Sequence, residues 1–530
     1  MAGSGWQCPL ACLLRTHQFF VPSAPVRFIR IPMTNMMRSS LLMGGLLGLG
    51  MVSLFAQGLQ EWPERHLSTA EVEQHIRFLS ADELGGRQPG HPGHAIAARY
   101  IATSFQAMGV QPLPGLQDYY QPIPMGRMVP PRAGHIRWGK QEWAQGGDLL
   151  SMSGEGIEGE FPAVFVGYGW IGDSTDDYAG LDLMGKVAIA LQGLPEPMSP
   201  GKIIAAGRKK AAWAAERGAL ALIELYTLPY PWKRLMLNFT SPAPRVLPET
   251  EDTRLFHAWL NDPEEYLLRA FKEDTSVTLA VATETVRQNR FTAPNVVGVI
   301  PGRDSSLREE YVLLSAHYDH VGTGGDGPDT IYNGARDNAI GIAGLLAAAR
   351  SLSEAPPRRS IILLACTAEE MGMLGSQWFV DHSPLPLSQL VYNLNYDGAG
   401  YNDRTAFTVL GYERTGIRPL IDRTAQWAHL NIIADPMPEQ NLFDRSDNVS
   451  FAAAGLPCLS FSPGITEMDE TILAHYHQPS DEADGLHFDY LRQLSSAFVH
   501  LARLIADQAA RPFWQPDDPY YEAGRALYAD

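Results

Sequence analysis

Cysteine is scarce: four residues in a chain of 530, Cys8, Cys12, Cys366 and Cys458, with no Cys-x-x-Cys pair. That excludes a scaffold built on disulfides and a thiolate zinc knuckle. Cys366 and Cys458 stand at the ends of apolar strands and read as buried free thiols, with a bond between them left open. Positive charge is also short. Lys and Arg number 41 against 59 Asp and Glu, for a net charge of -18. No basic surplus exists to neutralise phosphates, which argues against nucleic acid as a partner. Long hydrophobic runs are missing too. The most apolar stretch, Leu41 to Phe55, is about 15 residues, short of the roughly 20 that a membrane helix needs. Arg27, Arg30 and Arg38 precede it and Ala56-Gln57-Gly58 follows. This pattern predicts a secretory signal over about Met36–Gly58, a secreted or periplasmic destination and no stable membrane anchor. Translation starting at Met33, Met36 or Met37 fits that pattern better than Met1 does. No cysteine follows the run, so a lipid anchor is not indicated. Internal repeats and low-complexity segments are absent.

What is present is a chain too long for one core, with 45% hydrophobic residues, so several domains are expected. After the signal region (1–58), Ser68 to Leu79 reads as a helix with Ser68 as N-cap and Glu71 three residues on. Leu84 to Gly90 is a glycine-rich loop, and His94 to Met108 is a second amphipathic helix. The proline-rich stretch 110–135 reads as a connection closing the first part of a catalytic domain (59–135). Residues 136–285 differ in texture. Phe161–Tyr168, Val187–Leu191 and Ala219–Leu225 are strand-like, with a helix over Lys209–Arg217. This predicts a small β-rich domain inserted into the first. From 286 to 510 strands and helices alternate: strands at Asn295–Pro301, Tyr311–Ala316, Ile361–Cys366, Val391–Tyr396, Phe407–Leu410 and Leu456–Ser460, helices at Ala339–Ser353, Leu374–His382, Pro419–His429 and Tyr490–Ala509. That order predicts an α/β fold with a mostly parallel mixed sheet and helices on both faces. The tail 511–530 reads as a loose wrap.

In such sheets functional groups collect beyond the carboxyl ends of the strands. His317, the pair Glu369–Glu370 and Asp397 all lie at such ends. Asp337 opens a helix whose apolar stripe is Ile342, Leu345, Leu346, Ala349 and Leu352. A last group is Tyr476-His477-Gln478-Pro479-Ser480-Asp481. Imidazole with several carboxylates and no thiolate suits hard or borderline dications. Two ions sharing one carboxylate need about five protein ligands. His317, Asp337, Glu370, Asp397 and His477 supply that number, with Asp337 the natural bridge. His475 can stand in for His477 at this level, and Asp397 can equally cap a turn. Asp319 is placed to orient the His317 ring. Glu369, next to a ligand but not one itself, is positioned as a general base. Two nearby cations would pull its pKa down, so it would act through proximity to the attacking water.

These residues resemble the co-catalytic di-zinc exopeptidases that include bacterial secreted aminopeptidases and glutamate carboxypeptidase. The likeness is carried by Ser315-Ala316-His317-Tyr318-Asp319, Gly334-Ala335-Arg336-Asp337-Asn338-Ala339-Ile340-Gly341, Ala368-Glu369-Glu370-Met371-Gly372-Met373-Leu374-Gly375-Ser376, Asn395-Tyr396-Asp397, Arg445-Ser446-Asp447-Asn448 and Tyr476-His477. It covers roughly 68–130 and 290–505. The resemblance implies a three-layer αβα zinc-exopeptidase domain and two zinc ions per chain on His317, Asp337, Glu370, Asp397 and His477. It further implies Glu369 as base and a cis peptide at Asp337–Asn338. Ile340 and Asn448 stand where relatives often carry Ser and His, which touches substrate positioning rather than the ligands. Residues 136–285 resemble the protease-associated domain of many such enzymes, through Val164-Phe165-Val166-Gly167-Tyr168-Gly169 and Asp182-Leu183-Met184-Gly185-Lys186-Val187.

The implied activity is that of a metallopeptidase, an aminopeptidase hydrolysing N-terminal residues of peptide substrates. Carboxypeptidase or dipeptidase action within the same family is the alternative, with Arg336 and Arg445 near the motifs. A single-zinc acyltransferase of the glutaminyl cyclase kind is another, separated by metal stoichiometry.

Overall fold

The structure is a computed structural model that describes residues 62–529 apart from 173–174, 196–199, 229–230, 241–243, 248–253, 274–275 and 326. The signal-type segment, Cys8 and Cys12 lie outside the described residues. Tyr311–His317 and Ser360–Cys366 are buried along their whole length, so each strand must be covered on both faces.

A ten-stranded sheet provides the frame. Its main strands are β1 (Tyr120–Val129), β2 (Pro244–Val246), β3 (Arg287–Ile300), β4 (Tyr311–His317), β5 (Ser360–Cys366), β6 (Leu390–Tyr396), β7 (Ala406–Leu410), β8 (Asn431–Ile433) and β9 (Cys458–Pro463). They lie in the order β8-β7-β9-β6-β4-β5-β3-β1-β2, and Gln111–Pro112 pairs on β3. Alternate residues of β4 and β5 feed two cores. Val312, Leu314, Ile361 and Leu363 join the helices α1 (Thr69–Leu79), α2 (Pro92–Ala107), α3 (Ile340–Glu354), α5 (Arg418–Ala428) and α7 (Phe488–Asp507). Leu313, Ile362 and Leu364 meet Phe379 of α4 (Leu374–Asp381) and Phe451 of α6 (Asn448–Ala453) on the other face. The period of two in each strand therefore yields three layers. Ser68 caps α1 by accepting from the Glu71 N–H at 3.4 Å.

The sheet is mixed. Its centre, β5-β4-β6-β9, is parallel. β3, β1 and β2 add antiparallel on one flank, and β7 pairs antiparallel with β9 on the other. The expectation of a mostly parallel sheet thus holds only for the centre. The strands that add by antiparallel pairing include one, β1, that proline had disguised. Pro122 and Pro124 marked 110–135 as a connection, yet Tyr120–Val129 pairs with β3 over its whole length. The Pro124 carbonyl accepts from Leu247 on the side away from β3. β2 pairs on that side only at Met125–Arg127, so Pro122 lies beyond the pairing and Pro124 at its end, where a missing donor costs little.

Residues 134–283 supply a second, eight-stranded sheet with its own core around Ile189, Ile223, Phe256 and Leu279. The segment is not self-contained, because β2 leaves it to join the large sheet. The tail is packed rather than loose. Trp514 is 2% exposed and its indole donates to Gly455 O at 2.9 Å. Arg414 pairs with Asp518 at 2.6 Å, and helix α8 (Tyr521–Leu527) follows. The aromatic residues that composition alone assigned to a wrap close a small core with Phe443 and Leu410. Cys366 and Cys458 are both free and buried. Two strands, β4 and β6, lie between their strands.

Candidate metal centre

The parallel register of β4, β5 and β6 aligns their carboxyl ends at one edge of the sheet. His317 is the last residue of β4, Asp397 directly follows β6, and Glu369 and Glu370 follow β5 by three and four residues. The turn between β5 and the glutamates passes through Ala368 with a left-handed φ of 55°. Asp319 stabilises it: its carboxylate accepts from the backbone N–H of Glu369 at 3.1 Å and of Glu370 at 3.4 Å. Asp337 sits in a wide turn, Ala335–Ala339, leading into α3, and the Asp337–Asn338 peptide is cis. Asn338 ties that turn to β6 by donating to Tyr396 O at 2.9 Å. Asp481 holds its other side, accepting from the Arg336 N–H at 3.0 Å and the Asp337 N–H at 3.2 Å.

These elements bring His317, Asp337, Glu370, Asp397 and His477 together. His317 Nε2 lies 3.3 Å from Asp337 Oδ1 and 3.2 Å from Asp397 Oδ1. His477 Nε2 lies 3.2 Å from Asp337 Oδ2 and 3.1 Å from Glu370 Oε2. The two oxygens of Asp337 thus face two different histidines. Ligand atoms about 2.0–2.1 Å from a tetrahedral zinc stand about 3.3 Å from one another. Both halves of the cluster meet that spacing, and the nitrogen and oxygen donor set suits zinc. The residues fit a pair of dications sharing Asp337.

The electrostatics of the chain's own groups point the same way. Burial disfavours a charged His317, but Asp397 and Asp337 outweigh it and raise its pKa well above the usual value. His477 is likewise opposed by burial and raised to about 11 by its hydrogen bonds to Asp337 and Glu370. Glu370, despite burial, is brought down to about 2 by His320 and His477. Glu369 is pushed well up, first by burial and then by Asp397 and Glu370. Burial raises Asp319 to about 7. An excess of carboxylates held this close is costly by itself and becomes favourable around cations.

Glu369 lines a cavity of about 140 Å³ beside the cluster. Its lining includes the apolar side chains Leu410, Met437, Leu442, Ile465 and Met468, together with Arg445 and Tyr476.

Several roles are narrowed by geometry. His475 is outside the cluster, its Nδ1 2.8 Å from Ser480 O. Asp319 holds the glutamate turn rather than the His317 ring: its carboxylate is 3.8 Å from His317 Nδ1, while its backbone carbonyl is 3.3 Å away. Arg336 is committed to Asp481 at 3.0 Å. Four residues enter that motif spacing did not single out. His320 binds Glu370 Oε1 at 2.8 Å. Asp481 fastens Asp337. Asp447, fully buried, is pushed up to about 6 by burial. Arg87, 1% exposed, donates to the carbonyls of Leu79, Tyr318, Asn333 and Gly334. Asp481 and Asp447 lie inside the quoted runs and His320 directly follows one, so proximity to the ligands was their signal. Arg87 had none beyond its glycine-rich loop.

Residues 295–502 match the model of Peptidase family M28. The aminopeptidase YwaD of Bacillus subtilis (strain 168) is 28% identical over 226 residues, 42% of this chain and 47% of the relative. The vacuolar membrane protease of Saccharomyces cerevisiae is 35% identical over 114 residues, 22% of this chain and 11% of the relative. The chain therefore spans about half the length of the first of these relatives and about a tenth of the second. Among solved structures, an aminopeptidase from Aneurinibacillus sp. strain AM-1 aligns with a TM-score of 0.48 at 20% identity, covering 86% of this chain and 98% of that one. A zinc aminopeptidase from Bacillus subtilis aligns with a TM-score of 0.42 at 19% identity, covering 85% and 98%.

Proposed function

Residues 295–502 belong to peptidase family M28, and on that premise we propose that the chain is a zinc-dependent aminopeptidase. The observation that carries the reading is Asp337, whose two carboxylate oxygens face His317 and His477 at 3.3 and 3.2 Å. Asp337 would help hold two ions, one with His317 and Asp397, the other with Glu370 and His477. Zinc held there would supply Lewis acidity to the substrate carbonyl and to the attacking water.

The chain's own residues do the rest. Glu369, on the cavity wall, takes the proton of the attacking water and passes it to the departing amine as the C–N bond breaks. Tyr476 lines the same cavity. Burial raises its pKa, so its phenol stays protonated and can donate to the substrate oxygen. The amino end of a peptide is cationic and suits a cluster rich in carboxylates. The apolar lining of Leu410, Met437, Ile465 and Met468 suits an uncharged, apolar first side chain. Asp319 serves by holding the backbone of Glu369 and Glu370 in register.

We also propose that 136–285 is a protease-associated-type insert beside the catalytic domain (59–135 with 286–510). Its separate sheet and core support this. Secretion rests on the signal-type pattern at about Met36–Gly58. Among the described residues no helix is long and apolar enough to cross a membrane.

One feature favours a second reading, dipeptidase or carboxypeptidase action: Arg445, exposed on the cavity lining, where a substrate carboxylate could pair with it. The deciding experiment measures zinc per chain and cleavage of matched peptides with free and acetylated amino ends, with and without chelator. Two zinc ions and chelator-sensitive release from the free amino end alone are expected. Cleavage indifferent to acetylation transfers the assignment to the second reading, and a chain without peptidase activity when loaded with zinc refutes both.

A further inference from the structure

Each acidic residue of the cluster is held by a different group, two through the carboxylate and one through the backbone. Asp397 Oδ2 accepts from the Ser446 hydroxyl at 2.5 Å. The backbone of Asp337 is held by Asp481 at 3.2 Å. Glu370 Oε1 is met by His320 Nδ1 at 2.8 Å. A carboxylate can only accept, so Nδ1 is the donor.

His320 is fully buried, and its ring stands edge-on to His477 with centroids 5.6 Å apart. Its Nε2 is buried without a hydrogen-bond partner, so the single bond to Glu370 sets the orientation of the ring. The fold makes room for that orientation. A Cβ at Gly334 would come within 2.7 Å of the imidazole carbons, and Gly334 has a left-handed φ of 61°. With Oε1 anchored, the other oxygen of Glu370 is the one facing His477 Nε2, at 3.1 Å.

We propose that His320 is a positioning residue for one half of the ion pair. By fixing Glu370 it sets the affinity of the Glu370–His477 site and leaves the His317–Asp397 site alone. Ser446 does the corresponding work for Asp397. The proposal rests on the two-ion reading above. Its physical basis is rotamer freedom: an unanchored buried glutamate must be ordered when the ion binds, and an anchored one is already in place.

The test is calorimetric titration of the chelator-stripped full chain with zinc, together with its thermal melting. Wild type should bind two ions. His320→Leu should keep one site at wild-type affinity and weaken the other by about 10–100-fold, the usual loss when the partner of a metal ligand is removed. Ser446→Ala should weaken the site that His320→Leu spares, so the double variant should weaken both. His320→Asn places an amide N–H near the position of Nδ1 and should recover most of the affinity, whereas His320→Gln places it near Nε2 and should not. Loss at both sites in His320→Leu, or loss at neither, overturns the proposal. If the leucine variant does not fold, the Asn and Gln variants decide, and equal affinities in those two overturn it. A wild-type chain that binds one zinc refutes the two-ion reading itself, which is a separate outcome.

Discussion

Removal of Arg87 is a demanding perturbation of this fold, because one side chain there ties three segments. Its guanidinium donates to Tyr318 O at 2.7 Å, Leu79 O at 2.5 Å, Asn333 O at 2.6 Å and Gly334 O at 3.0 Å. Tyr318 follows the ligand His317, and Gly334 opens the turn that carries Asp337. Burial lowers the pKa of Arg87 to about 10 against the pull of Asp319 and Asp481, so it remains charged at neutral pH. Arg87→Met keeps much of the stem and deletes every donor. Gly334 O retains the Ala339 N–H at 3.2 Å, which leaves three carbonyls to count. At about 1–3 kcal/mol for each orphaned buried group, and allowing for water entering the space, the loss comes to about 5 kcal/mol. Arg87→Lys, with a point charge in place of a fork, should fall between the two. The assay is urea unfolding followed by circular dichroism, paired with zinc titration of the folded fraction. The methionine variant should unfold at markedly lower urea and bind zinc more weakly at both sites. A loss under about 1 kcal/mol with unchanged zinc affinity would refute the account of Arg87 as the tie between the ligand segments.

Glu369→Gln should lower turnover by about 10²–10⁴-fold, the typical worth of a general base, while calorimetry still finds two zinc ions. Asp337→Ala should lose both zinc and turnover. The chelator-stripped chain should be most stable in mildly acid solution. His477 has a folded pKa of about 11 against 6.5 unfolded, so its pairing is fully present below about pH 6.5 and fades toward pH 11. Glu370, at about 2 against 4.5, contributes above about pH 4.5 and fades as the pH falls toward 2. Melting temperatures of the stripped chain at pH 4, 5.5 and 9 check the sign, and a steady rise through pH 9 contradicts it. Trp514→Ala should cost about 3–5 kcal/mol as a buried aromatic truncation and expose the tail to proteolysis. A tail cut no faster than in wild type would mean that Trp514 does not hold it.

Much of the fold could be read from apolar patterning. The strand Tyr311–Ala316 and the stripe Ile342, Leu345, Leu346, Ala349 and Leu352 carry their burial in their spelling, because a residue's face follows from its position in the repeat. Ser68 announces the start of its helix by the same kind of local chemistry. Tyr120–Val129 did not, since two prolines argue against a strand until the neighbour on their side proves to be short. The tail misled for a related reason. Trp514 and Tyr520 look like exposed aromatics until Phe443 and Arg414, from much earlier in the chain, meet them.

By itself the sequence determined the inventory: which side chains can hold a dication, that they fall at strand ends, and that no thiolate or basic surface competes for another function. Those are properties of residue type and local spacing. Only the tertiary structure decided which histidine, 475 or 477, reaches Asp337, that Asp319 holds a turn instead of a ring, and that His320 stands behind Glu370. Such choices depend on distances between segments up to 140 residues apart. Those distances are fixed by strand register and helix packing across the whole sheet, not by any stretch of chain alone.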